Sequence, residues 1–163
     1  MSPVIETFRS SKTPWEVFRA VHANSKACFF LDSSLPVPPD QIFSYIGMDP
    51  AFEIRLEREV FYIQGEVNGK YPASELFPVL KKLFKKYQIH ARSAYPFFTG
   101  GFVGYVGYEA AELCDKIKFR AKPGPDVPRI YFGFFRDVIV YDHQKRVYHL
   151  AINARDSGLG TRK

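Results

Sequence analysis

The sequence has few cysteines and neither a secretion signal nor a membrane span. Cys28 and Cys114 are the two cysteines among 163 residues, and no Cys-x-x-Cys pair is present, which argues against a zinc site or a disulfide framework. No apolar run approaches the roughly 18 residues of a spanning helix. The N-terminus also lacks the basic and apolar stretches of a signal peptide. We therefore expect a cytoplasmic protein with no membrane partner.

Motifs for common catalytic chemistry are also missing. The glycine-rich segment at residues 100–107 lacks the Lys-Ser/Thr of a phosphate-binding loop and the Gly-x-Gly of a dinucleotide fingerprint. The four histidines are scattered without metal-ligand spacing, and no serine lies in a Gly-x-Ser-x-Gly elbow. We predict no catalytic residue and no metal ligand in this chain.

The composition is that of a globular domain rich in sheet. Hydrophobic residues make up 46% and charged residues 25% of the chain, which favours one folded domain over residues 1–155. The aromatic share of 17% is high, and aromatics are enriched in strands and interfaces. The polar, glycine-containing stretch at residues 156–163 is typical of the start of a linker. The net charge of +6 is a mild excess that does not by itself indicate nucleic-acid binding.

The patterning predicts antiparallel strands and two or three helices. Thr13, Pro14 and Glu16 form a capping box that begins a helix over residues 13–24. The apolar run at 27–31 predicts a strand buried on both faces, and alternation predicts a hairpin over 52–63. An apolar stripe over 74–87 predicts a helix with four lysines on its solvated side. Further strands are expected at residues 130–135, 138–141 and 146–152.

Two local features have alternative interpretations. Asp32 and Ser33 follow a strand and precede an irregular loop, which suits either a ligand site or a local Asx turn. Gly101, Gly104 and Gly107 recur every three residues in an aromatic strand, where glycine permits close approach of another backbone.

Several segments, taken together and in order, resemble a known family. They are FFLDS at residues 29–33, FSYIGMDP at 43–50, PFFTGGFVGYVGYE at 96–109 and VPRIYFG at 127–133. In this order they resemble the N-terminal region of chorismate-utilising synthases, namely component I of anthranilate synthase and of aminodeoxychorismate synthase. Ile42 stands where that family carries an arginine.

The resemblance implies an α+β fold, largely antiparallel sheet with two to three packed helices. It also implies a larger C-terminal catalytic domain, absent from this sequence, that would hold chorismate and Mg²⁺. We therefore expect no cofactor in this chain and no catalysis by it alone. The missing catalytic domain in cis is the expected partner, with a glutamine amidotransferase subunit as a further one.

The resemblance also implies two sets of functional residues. A pocket for L-tryptophan would use the Ser33 hydroxyl and nearby backbone for the charged head group and aromatic rings for the indole. Its residues are Leu31, Asp32, Ser33, Phe43, Ser44 and Tyr45. An interdomain surface would use Gly101, Gly104, Tyr105, Gly107 and Tyr108.

Three functions remain as hypotheses. The leading hypothesis is the N-terminal structural or regulatory domain of a chorismate-utilising synthase. The FLDS strand end at residues 30–33 favours aminodeoxychorismate synthase in folate biosynthesis over anthranilate synthase in tryptophan biosynthesis. A free-standing module for amino-acid binding or protein interaction is the alternative from another class. Nucleic-acid binding through the lysine-bearing helix face is disfavoured, because no aromatic-basic motif accompanies it.

Overall fold

A computed structural model describes residues 3–33, 42–89, 95–113 and 127–153. The chain divides into two compact units, each assembled from separate segments. Unit 1 comprises Met1–Asp49, Gln88–Gly101 and Arg136–Lys163, and unit 2 comprises Pro50–Tyr87 and Phe102–Phe135. The predicted linker at 156–163 and its boundary lie outside the described residues.

The described residues form ten strands and two α-helices. The strands are β1 (Val4–Phe8), β2 (Cys28–Leu31), β3 (Phe43–Met48), β4 (Phe52–Glu57), β5 (Val60–Gly65), β6 (Gly69–Pro72), β7 (Gly101–Val106), β8 (Ile130–Phe135), β9 (Val138–Asp142) and β10 (Val147–Ile152). The helices are α1 (Pro14–His22) and α2 (Leu76–Lys86), with 3-10 turns at Ala73–Glu75 and Tyr108–Leu113. This confirms the predicted α+β class.

The sheet of unit 1 has the strand order β1-β10-β9-β3-β2, with antiparallel pairing throughout. Helix α1 begins with the predicted capping box, in which the Thr13 hydroxyl and the Glu16 carboxylate each accept the other residue's backbone N–H. The Trp15 and Phe18 rings of α1 then pack against Phe30 of β2. Helix α1 thus packs against one face of the sheet at its β2 edge.

Strand β2 lies at the edge of this sheet, and the prediction that it is buried on both faces is wrong. It pairs with β3 on one side, and Leu31 is 52% exposed. An apolar run indicates a strand but cannot distinguish a central strand from an edge strand partly covered by a helix. The exposed end of β2 is therefore accessible to a ligand.

The sheet of unit 2 has the strand order β6-β5-β4-β8-β7. The buried face of β4 is formed by the predicted alternating residues Phe52, Ile54 and Leu56. Helix α2 buries Leu76, Leu80 and Leu83 and leaves exposed the four lysines Lys81, Lys82, Lys85 and Lys86, as the stripe predicts. It begins two residues before Pro78, after a 3-10 turn.

None of the helices in the described ranges has the length and apolar character needed to cross a bilayer.

Candidate functional site

Three polar side chains meet at the end of β2 in unit 1, and we call them the Asp32 cluster. The Ser44 hydroxyl donates to Oδ1 of Asp32 at 2.5 Å and lies 2.6 Å from Nε2 of His143. Nε2 of His143 is 4.0 Å from the same Asp32 oxygen. The serine is 1% exposed, whereas the Asp32 and His143 side chains are 44% and 31% exposed. A buried hydroxyl thus joins a half-exposed carboxylate to a half-exposed imidazole.

Strand register brings these residues together. Phe30 pairs with Ile46 and Leu31 with Tyr45, so the next position, Asp32, falls opposite Ser44. Directly opposed residues on antiparallel strands point to the same face of the sheet. The cluster therefore follows from the pairing of β2 with β3.

The turn after β9 supplies the third member of the cluster. Phe43 pairs with Asp142, and the backbone N–H of His143 donates to the Ile42 carbonyl at 3.1 Å, which extends the ladder by one bond. Oδ1 of Asp142 accepts the backbone N–H groups of Gln144 and Lys145 at 2.9 Å each. This Asx-type turn holds the His143 ring beside Ser44.

The proton arrangement in the cluster follows from its donors and acceptors. A hydroxyl has one proton, and here that proton goes to the Asp32 carboxylate, which can only accept when ionised. The short contact to His143 therefore requires a proton on Nε2, donated to a lone pair of the Ser44 oxygen. In hydrolase triads the histidine lies in the middle and activates the serine. Here the serine is central and buried, so the cluster suits binding of charge better than nucleophilic catalysis.

The other residues predicted for the tryptophan pocket are arranged differently. Leu31, Phe43 and Tyr45 belong to the opposite face of the sheet from Ser44, because side chains alternate along a strand. The Phe43 ring is 6% exposed and packs edge-on against Phe97 at 5.4 Å. Tyr45 packs edge-on against Phe98, and its burial raises the pKa of its phenol. The structure thus joins Asp32 with Ser44, while Phe43 and Tyr45 contribute to packing on the other face.

His143 was not predicted to belong to the site. In the sequence it is one of four scattered histidines, and 99 positions separate it from Ser44. Its one sequence signal is a position directly after a strand and before a turn, where polar side chains often contact ligands. The partner across the sheet cannot be deduced from that position.

Unit 2 carries a second surface feature, an apolar groove of about 600 Å³ beside α2. We call it the α2 groove. Its lining residues are Phe77, Leu80, Lys81, Phe84, Val106, Gly107, Tyr108, Ala110, Ala111, Ile130 and Phe132. Several large apolar side chains here are unusually exposed, including Phe77 at 49%, Val106 at 60% and Tyr108 at 80%. Contiguous apolar surface of this kind is typical of an interaction site.

The residues predicted for the interdomain surface contribute unequally to this exposed region. A Cβ at Gly104 would overlap the Tyr131 carbonyl oxygen, and one at Gly107 would approach the Arg129 carbonyl to 2.9 Å. These two glycines are thus accounted for by the close approach of the backbone at Tyr131 of β8 and at Arg129 just before it. Gly101 has φ +141°, a conformation that favours glycine. Tyr105 stacks on Tyr131 and donates to the Pro128 carbonyl at 3.0 Å, which leaves Tyr108 as the most exposed ring of the set.

Within the described ranges, no three His, Cys, Asp or Glu side chains lie together as a set of metal ligands.

Comparisons with known proteins identify relatives of the chain, although no family model matches it. Anthranilate synthase component 1 from Leptospira biflexa is 33% identical over 128 residues, which are 78% of this chain and 26% of that protein. Aminodeoxychorismate synthase component 1 from Bacillus subtilis strain 168 is 24% identical over 71% of this chain and 24% of that protein. The chain thus spans about a quarter of the length of either relative.

A solved structure gives the same result. Anthranilate synthase component I from Streptococcus pneumoniae TIGR4 superposes with a TM-score of 0.53 at 28% identity, covering 76% of this chain and 28% of that one. The resemblance predicted from the sequence motifs is confirmed. By sequence and by fold, the chain is a relative of the N-terminal part of the component I subunits of anthranilate synthase and aminodeoxychorismate synthase.

Proposed function

We propose that this chain is the N-terminal, ligand-sensing region of a chorismate-utilising synthase, with anthranilate synthase as the favoured branch. The matched proteins support that branch, because component 1 of anthranilate synthase recurs among them from several organisms. We expect no catalysis by this chain alone. Its role is to bind an amino acid, with L-tryptophan as the first candidate.

The Asp32 cluster is the observation that carries this proposal. Oδ1 of Asp32 accepts the Ser44 hydroxyl, and the second oxygen of this half-exposed carboxylate is the atom that would accept an α-ammonium group. On the same face of the sheet, Phe30 lies two positions before Asp32 and packs against Trp15 of α1, which is 54% exposed. This face therefore combines a carboxylate with exposed aromatic surface, which suits a zwitterion with a large apolar side chain.

Calorimetric titration of the 163-residue chain with L-tryptophan tests the proposal. We expect saturable binding, and we expect Asp32→Asn to weaken it by about tenfold or more, because the variant loses the charge that pairs with the ammonium. Glu57→Gln is the matched control, since it removes an exposed carboxylate from unit 2 and should bind as the parent does. A parent chain that shows no binding, or an Asp32→Asn variant that binds normally, would contradict the proposal.

Aminodeoxychorismate synthase is the second candidate, and one observation favours it. The strand end Leu31-Asp32-Ser33 is closer to the sequence of that branch than to the Leu-Leu-Glu-Ser of the anthranilate branch. Incubating the longer protein that contains this chain with chorismate and ammonia distinguishes the two. Anthranilate as product supports the first branch, and aminodeoxychorismate supports the second.

The α2 groove supports a further part of the proposal, namely that a catalytic region of the same protein packs against this chain. The relatives are three to four times longer than the matched segment, so most of each lies outside it. An apolar groove lined by exposed Phe77, Val106 and Tyr108 is the kind of surface that such a region would cover. A glutamine amidotransferase subunit remains a proposed partner with no residue assigned to it.

A further inference from the structure

His143 occupies a place in the Asp32 cluster that the proposed function does not yet use. Its Nε2 lies closer to the Ser44 oxygen, at 2.6 Å, than to Oδ1 of Asp32, at 4.0 Å. The imidazole therefore acts on the carboxylate through the hydroxyl. If Nε2 carried no proton, the serine would be drawn to donate to the ring and Asp32 would lose its hydrogen bond.

We propose that His143 is a positioning residue for amino-acid binding at Asp32. Its Nε2–H fixes the Ser44 hydroxyl as a donor to Oδ1 and so keeps the carboxylate oriented with Oδ2 toward an incoming ammonium. The inference rests on the proposed function, since it concerns the same site. It adds to the site a residue that the pairing of β3 with β9 brings next to Ser44.

The Tyr141 ring and the turn after β9 hold the imidazole in place. The Tyr141 ring of β9 packs edge-on against it at 4.8 Å. In the turn itself, Asp142 accepts the backbone N–H groups of Gln144 and Lys145 and pairs with the Lys145 side chain at 3.6 Å. The ring is therefore fixed where its Nε2 meets the Ser44 oxygen.

The test measures L-tryptophan affinity at pH 7.5 for the parent chain, His143→Gln and His143→Ala. Glutamine can present an N–H near the position of Nε2, whereas alanine cannot. We expect His143→Ala to bind about tenfold more weakly and His143→Gln to bind within about twofold of the parent. His22→Gln, which replaces an exposed histidine on α1, should behave as the parent.

The outcomes separate this inference from the proposed function. Normal binding by His143→Ala, or equal weakening in the glutamine and alanine variants, would show that the ring has no positioning role through its N–H. Absence of tryptophan binding by the parent chain would instead overturn the proposed function, and this inference with it.

Discussion

His149 is a buried polar residue whose contribution to the free energy of unfolding depends on pH. Its Nδ1 lies 2.8 Å from the Thr7 hydroxyl, and its ring stacks on Phe97 with centroids 4.9 Å apart. Nε2 is buried and has no hydrogen-bond partner among the described residues. Burial lowers the pKa of this imidazole, and Asp142 offsets that effect in part. The folded chain therefore holds His149 in its neutral form more strongly than the unfolded chain does.

The stability of the chain should consequently decrease in mildly acidic solution. Above the unfolded pKa of about 6.5, both states hold a neutral histidine and no proton is taken up on unfolding. As pH falls from about 6.5 toward the lower folded pKa, the unfolded state binds the proton first and the free energy of unfolding drops. Urea unfolding at pH 7.5 and 5.5 should show a smaller drop for His149→Gln than for the parent. An unchanged pH dependence in that variant would refute the assignment, and His22→Gln should retain the full dependence.

At the residue scale, the sequence predicts two members of the Asp32 cluster but not the third. Asp32, Ser33 and Ser44 were predicted because they belong to the FFLDS and FSYIGMDP motifs. The structure joins Asp32 to Ser44, but His143 completes the cluster through a strand pairing that no local pattern encodes. Phe43 and Tyr45 lie in the predicted motif, yet alternation along β3 directs them away from Ser44.

At the scale of elements, short sequence patterns predicted the start of a helix and the positions of strands, because local interactions determine both. The Thr13–Glu16 capping box begins α1 where expected, and alternating residues locate β4 and β5. The burial of β2 was mispredicted because exposure depends on which strands lie beside it, and that is a property of the whole sheet. Strands β1 and β6 were not predicted, since each is short and gains its structure by pairing with β10 or β5.

The pairing of β7 with β8 predicts a strong effect for one glycine. Replacing Gly104 with alanine would place a Cβ against the Tyr131 carbonyl, and backbone of a neighbouring strand cannot move away cheaply. We expect Gly104→Ala to lower the free energy of unfolding by about 1–3 kcal/mol, as for overpacked sites.

Urea unfolding at neutral pH measures this effect. Val106→Thr serves as the control, because it keeps a β-branched residue at a 60% exposed position on the same strand. That change should stay within about 0.5 kcal/mol of the parent. If Gly104→Ala proves as stable as the parent, the close approach of β8 does not explain this glycine, and the interdomain interpretation gains support.

At the scale of the whole molecule, the exposed lining of the α2 groove should be measurable in the isolated chain. We expect the 163-residue chain to bind a fluorescent hydrophobic dye, and the double variant Phe77→Ser/Val106→Ser to bind less of it. Both side chains are about half exposed or more, so the fold should survive their replacement.

Leu31→Ser provides the comparison, since it removes an apolar side chain of similar exposure, 52%, from unit 1. Dye fluorescence that falls equally in Leu31→Ser and in the double variant would show that the dye reports general apolar exposure and not the groove. A decrease in dye fluorescence confined to the double variant, with an unchanged melting temperature, would show that the dye-binding apolar surface lies beside α2.

The order of strands has a consequence for how the chain acquires its structure during synthesis. In unit 1 the first strand, β1, pairs with β10, and β3 pairs with β9. Two of the three interior strands, β9 and β10, are therefore the last of the described strands to leave the ribosome. In unit 2, β8 lies between β4 and β7 and is likewise made late. Contacts between distant segments slow folding. A nascent chain that stops before residue 130 therefore exposes unpaired edges of β3 and β4, and chaperone binding should be strongest in that interval.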